Sequence, residues 1–142
     1  MKLVKQLLDR KGHDILSISP DASVLDAIKV MAEKAVGALI VLQDSALAGI
    51  VTERDYARKV ILKGRSSKST LVSEIMSAKV ITTTGDSSVE ECMNMMSDRR
   101  IRHLPVVDGE TVIGIISIGD LVSAVIADQK AEIEHLEHYI SG

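Results

Sequence analysis

Two short motifs in this chain place a hydroxyl and a carboxylate three residues apart, each directly after an apolar run that begins with glycine. They are Thr52-x-x-Asp55 in GIVTERDY and Ser117-x-x-Asp120 in GIISIGDL. A carboxylate at the junction of a strand and a helix can accept two hydrogen bonds from neighbouring hydroxyls of a ligand. The helix start behind it adds free N–H groups and a dipole that favours an anion. The same spacing is also that of a residue pair that merely caps its own helix. From the residues alone both readings stand.

Other reactive side chains form no constellation. Cys92 is the single cysteine, which excludes an intrachain disulfide and a cysteine-based zinc site. It falls at an apolar helical position, as a packed thiol would. Glu134, His135 and His138 have helical spacing but no further ligands, so no metal is expected. The methionines Met31, Met93, Met95 and Met96 read as core and interface filler. No phosphate loop, nucleophile elbow or metalloprotease helix is present, and no enzyme activity is expected.

The elements that position the two motifs come from an internal repeat. Shifting the sequence by 65 residues lays Asp14–Ile61 on Lys79–Ile126 without a gap. Eleven of the 48 pairs are identical, where random composition gives roughly three. Asp21/Asp86, Ser23/Ser88, Leu39/Leu104, Gly49/Gly114 and Asp55/Asp120 are among them. Each copy reads as strand, helix, strand, strand, helix. The first strands are Ile15–Ile18 and Val80–Thr83. Ser23 with Asp26, and Ser88 with Glu91, have capping-box spacing, and apolar residues then recur at helical spacing. Ala38–Leu42 with Leu47–Val51, and Leu104–Val107 with Val112–Ile116, are paired strands; Asp108-Gly109 marks the second hairpin. Closing helices run over Glu53–Leu62 and Gly119–Tyr139. The polar stretch 64–70 is the linker, followed by a helical turn over Leu71–Met76. The division is residues 1–66 for the N-terminal segment with repeat 1, and 67–142 for repeat 2 with the C-terminal helix.

These segments, with IRHLPVVDG at Ile101–Gly109, resemble the CBS domain family over nearly the whole chain, and the TERDYARK wording is similar to small stand-alone CBS-pair proteins. The resemblance implies an α+β fold of two β-α-β-β-α repeats related by a pseudo-twofold axis and packed through their sheets, the Bateman module. It also implies a regulatory ligand in the clefts between the repeats: AMP first, with ATP, NAD or another adenosyl compound as alternatives, and no metal. The ribose and phosphate then fall to Asp120, Ser117, Asp55 and Thr52. The adenine falls to Leu16, Val36, Gly37 and Ala38 for the Asp120 cleft, and to Val80, Ile81 and Ile101 for the Asp55 cleft. Arg102, His103, Arg54 and Arg58 are the phosphate candidates. The Asp120 cleft is the favoured site, because Gly37-Ala38 offers a small-residue floor.

Composition bounds the partners. The chain has 142 residues, 46% of them apolar, with no Trp or Phe, so Val, Ile, Leu, Met and Ala must build the core. Its net charge of −3, with no basic tract, argues against a nucleic-acid partner. No segment is long and apolar enough for a membrane span, and the N-terminus lacks the apolar run of a signal peptide, so a cytoplasmic protein without membrane contact is expected. Apolar stripes on the N-terminal segment (Leu3, Val4, Leu7, Leu8) and on the last helix (Leu121 to Ile140) point to a homodimer. The reading is a nucleotide-sensing module that signals to an unidentified regulated protein; the alternative is a ligand-free dimerisation or interaction module.

Overall fold

A computed structural model describes residues 2–141. In chain order the elements are α1 (Val4–Lys11), β1 (Ser17–Ile18), α2 (Val24–Lys34), β2 (Ala38–Gln43), β3 (Ala46–Thr52), α3 (Glu53–Tyr56) with a π-helical continuation over Ala57–Ile61, α4 (Val72–Ile75), β4 (Thr83–Thr84), α5 (Val89–Arg99), β5 (His103–Asp108), β6 (Thr111–Ser117) and α6 (Ile118–Ser141). Both repeats are therefore β-α-β-β-α, and the fold is α+β with two three-stranded sheets, ordered β1-β2-β3 and β4-β5-β6. Among the described residues no helix is long and apolar enough to cross a membrane.

The contacts divide the chain into two units. One holds Asp14–Ile81 with Gly109–Val112; the other holds residues 2–13, Thr82–Asp108 and residues 113–141. Sequence order puts the N-terminal segment with repeat 1, in residues 1–66, and the turn over Leu71–Met76 with repeat 2. By contact, α1 groups with repeat 2 and α4 groups with repeat 1. The cause is backbone pairing. Val72 N–H donates to the Ala22 carbonyl and Val24 N–H to that of Thr70, both at 2.8 Å, which ties α4 to the start of α2. In the other unit Val4 N–H donates to Ser87 at 2.8 Å and Val89 N–H to Lys2 at 3.0 Å, which ties α1 to the start of α5. The polar linker is part of this tie, since Leu25 N–H donates to the Ser67 carbonyl.

Within the first unit, Val24, Ala27 and Met31 of α2 pack on Leu39, Val41 and Val51, with Val60, Val72 and Ile75 closing the cluster. The β2–β3 hairpin turns on Asp44 and Ser45, both at positive φ, as a two-residue primed turn requires. In the second unit Cys92 is fully buried, and its thiol lies 3.6 Å from Thr83 Oγ1. Burial pushes the thiol pKa up, as fits a packing residue rather than a nucleophile.

Three local expectations change. The first strands are shorter than Ile15–Ile18 and Val80–Thr83, and they start later. In repeat 1 the ladder opens where Ile40 N–H donates to the Leu16 carbonyl, and Ser17 faces Ile40. In repeat 2 the residue matching Ile40 is Pro105, which has no N–H to give. The paired residues there are Thr83 with Val106 and Thr84 with Val107, one step further on. At Ser23 and Ser88 only the hydroxyl half of the capping box forms, to the N–H groups of Asp26 and Glu91 at 3.1 Å. The closing helix over Glu53–Leu62 is α-helical only to Tyr56. It then widens, so that Leu62 N–H donates to Ala57 at 3.0 Å, five residues back. Within the widened stretch Val60 packs into the core, and Lys59 pairs with Asp55 four residues back.

Candidate functional site

The complete capping boxes are at the two sequence motifs. At the end of β6, Ser117 N–H donates to Asp120 Oδ2 at 2.8 Å, and Asp120 N–H donates to Ser117 Oγ at 3.2 Å. At the end of β3, Thr52 N–H donates to Asp55 Oδ2 at 3.0 Å and Asp55 N–H returns to Thr52 Oγ1 at 3.1 Å. The next N–H in each helix is taken by the start of the middle strand: Ile118 donates to the Arg102 carbonyl at 2.9 Å, Glu53 to that of Gly37 at 3.1 Å. The pattern is thus a helix cap in both copies, and the cap fixes the carboxylate at the strand–helix junction.

The copies differ in what remains of the carboxylate. Asp55 is engaged through both oxygens: Oδ2 by the box, including the Thr52 hydroxyl at 3.1 Å, and Oδ1 by Lys59 Nζ at 3.3 Å. Lys59 also donates to the Ile75 carbonyl at 2.8 Å. At Asp120 the Ser117 N–H and Lys11 Nζ, the latter at 2.6 Å, both fall on Oδ2. The Asp120 side chain is 25% exposed, against 14% for Asp55. The reason lies one helical turn on. Lys59 stands four residues after Asp55, where repeat 2 has Ala124. The cation at Asp120 comes instead from the end of α1.

Lys11 is the residue that sequence reading missed. Its Nζ also donates to the Ile115 carbonyl at 2.6 Å. Burial is the largest influence on the Asp120 carboxyl and pushes its pKa up. The Lys11 hydrogen bond, the Ser117 N–H, the Lys11 charge and the Ser117 hydroxyl together outweigh burial and hold the carboxyl below the ordinary range. The signal for the helix that carries Lys11 was present in the sequence, although the contact itself was not. Residues 3–8, LVKQLL, match residues 71–76, LVSEIM, in apolar pattern and in the Gln or Glu that caps from the fourth position. Gln6 Oε1 accepts Leu3 N–H at 2.9 Å, and Glu74 Oε2 accepts Leu71 N–H at 2.6 Å. Each repeat therefore has a leading helix, three residues out of step with the main repeat.

The other expected residues divide between the units. Val36, Gly37 and Ala38 lie beside the Thr52–Asp55 box of their own unit, because Ala38 faces Thr52 across the hairpin. Leu16 is half-buried at the head of β1. Arg54 and Arg58 are exposed on the closing helix of the same unit. Arg102 and His103 lie beside the Ser117–Asp120 box, joined to it by the Arg102 carbonyl. Ile101 donates its N–H to the Met96 carbonyl at the end of α5. Val80 and Ile81 are half-buried and precede β4. A cavity of about 320 Å³ opens beside Asp120, lined by Leu7, Arg10 and Lys11 of α1 and by Ser123, Ala124 and Ala127 of α6. Among the described residues no group of three His, Cys, Asp or Glu side chains is arranged to hold a metal ion.

Two strand–helix corners, each with a capped carboxylate and a leading helix, invite comparison with known families. The CBS domain family model matches residues 4–62 and again residues 72–127. The chain belongs to the CBS domain family. Both matches begin at the leading helices, at Val4 and Val72. Arabidopsis thaliana has a relative, the mitochondrial CBS domain-containing protein CBSX3, which is 49% identical over 127 residues. That alignment covers 86% of this chain, which spans only 62% of CBSX3. Among solved structures, a CBS-domain protein from Burkholderia ambifaria is 54% identical, with a TM-score of 0.87 over 90% of this chain and 96% of that one. The CBS domain pair of protein MJ0100, solved in complex with 5′-methylthioadenosine and S-adenosyl-L-methionine, is 27% identical, with a TM-score of 0.79 over 91% of this chain and 98% of that one.

Proposed function

We propose that this tandem CBS pair is a non-catalytic regulatory module that binds an adenine nucleotide and passes its occupancy to a partner protein. The observation that carries the reading is Asp120. Its Oδ2 holds the cap and its Oδ1 takes none of those bonds, so the carboxylate keeps an acceptor for a ribose hydroxyl at a fixed place. Ser117 stands beside it, with Arg102 and His103 as the phosphate-binding groups at the same corner. Asp55 with Thr52 is the weaker second acceptor, near Arg54 and Arg58. Leu16, Val36, Gly37, Ala38, Val80, Ile81 and Ile101 serve the base. The adenosyl ligands of the MJ0100 pair support the ligand class. A ligand signals only through different affinity for two arrangements of the module.

Isothermal titration with AMP, ADP, ATP, NAD and S-adenosylmethionine tests this. Saturable binding of AMP, ATP or NAD, with a raised melting temperature, is the expected result. No heat from any of the five, and an unmoved melting temperature, overturns it.

A second reading, a dimerisation module, is favoured by α6. From Asp128 to Ile140 this helix is exposed on every side. Val122, Ile126, Ile133, Leu136 and Ile140 line it, each at least 41% exposed. A helical stretch of this length is marginal alone in water, and an apolar stripe on it is stabilised by a second helix. The occupant we assign is a second copy of this chain, and a homodimer is compatible with nucleotide binding. Light scattering is expected to give twice the chain mass, and Leu136→Glu to shift it toward the single chain; a monomer at micromolar concentration rejects the dimer.

A further inference from the structure

The side chains around Asp120 carry more positive charge than one carboxylate balances. Lys11 Nζ lies 2.6 Å from Asp120 Oδ2, and Arg10, the preceding residue, lines the same cavity. That cavity follows α6 from Asp120 past Ser123 to Ala127, where short side chains leave room for a group larger than water. Asp120 is the only carboxylate among the residues that line it. The corner therefore offers a diol acceptor and, next to it, two cations that favour an anion.

Resting on the nucleotide-binding reading above, we propose that Lys11, assisted by Arg10, makes the Asp120 corner select adenosine ligands that carry a 5′-phosphate over uncharged or cationic ones. The Lys11 ammonium on Oδ2 and a ribose hydroxyl on the spare Oδ1 share one carboxylate. An uncharged nucleoside leaves Lys11 and Arg10 with Asp120 as the one anion among the cavity's lining residues. A phosphorylated nucleotide brings a second anion, and the flexible four-carbon stem of lysine lets the charge reach it. Charge-assisted bonds to phosphate are about twice as strong as neutral ones, so the corner favours the nucleotide. A sulfonium ligand adds a third positive charge to the corner and is disfavoured.

The test is calorimetric titration of wild type, Lys11→Met, Lys11→Arg and Arg10→Gln with AMP and with adenosine. Wild type is expected to prefer AMP by at least about tenfold. Lys11→Met is expected to weaken AMP by about tenfold or more and to leave adenosine unchanged or tighter. Lys11→Arg is expected to keep the preference, and Arg10→Gln to narrow it without touching the Asp120 contact. Equal loss of both ligands in Lys11→Met, or an unchanged AMP-to-adenosine ratio in both Lys11→Met and Arg10→Gln, overturns the selector and leaves the ribose site standing. If wild type binds neither compound, the nucleotide reading falls and the selector falls with it.

Discussion

Asp120→Ala is expected to weaken nucleotide binding by roughly ten- to a hundredfold. The substitution removes the acceptor for the ribose, and a hydrogen bond to a charged group contributes about 1.5–3 kcal/mol. It also removes the cap. Ser117 N–H and Lys11 Nζ both lose their partner at Oδ2, and loss of a cap costs about 0.5–2 kcal/mol of stability. The two effects separate by measurement: calorimetry reads the affinity at a temperature well below the melt, and the melt reads the cap. Asp120→Asn keeps the shape and one carbonyl acceptor, so it is expected to fall between Ala and wild type. Asp55→Ala is expected to change affinity less, because both oxygens of Asp55 are engaged within the protein. Unchanged affinity in Asp120→Ala and also in Asp55→Ala would sink the site assignment.

The order of the elements was legible because both periodicities are strong in this chain. The helical stripe Val24, Ala27, Met31 and the hairpin apolar runs appear twice, and one copy checks the other. The strand–helix motifs were legible for the same reason; the structure shows the cap in both copies, and the ligand-acceptor role rests on the proposal above. What escaped was long-range. The first strand of each repeat has only a few backbone bonds to define it, and its limits depend on the partner strand, through Ile40 in one copy and Pro105 in the other. Lys11 reaches Asp120 across 109 positions of chain, and periodicity carries no information about such a pair. The leading-helix repeat lay out of phase with the main one, so an ungapped comparison passed over it.

The glycine of each G-h-h-T/S-x-x-D motif is a second test, and here the two copies should part company. Gly49 and Gly114 are not at positive φ, so conformational freedom does not explain them; space does. A Cβ built on Gly49 would lie 2.8 Å from Met76 Sδ and 2.8 Å from the Ser77 carbonyl oxygen. That carbonyl is held in place, because Ile50 N–H donates to it at 3.0 Å and Ser77 N–H returns to the Ile50 carbonyl at 2.9 Å. A Cβ on Gly114 would lie 2.7 Å from Leu8 Cδ2, the end of a side chain. A rotamer shift can relieve the second clash at modest cost, whereas the first needs the backbone to move. Gly49→Ala is therefore expected to lose about 3 kcal/mol and Gly114→Ala about 1 kcal/mol, at the two ends of the usual overpacking range. Urea titration at an unchanged slope reads both losses from the midpoints. Equal losses would mean that the Ser77 carbonyl yields as readily as the Leu8 side chain.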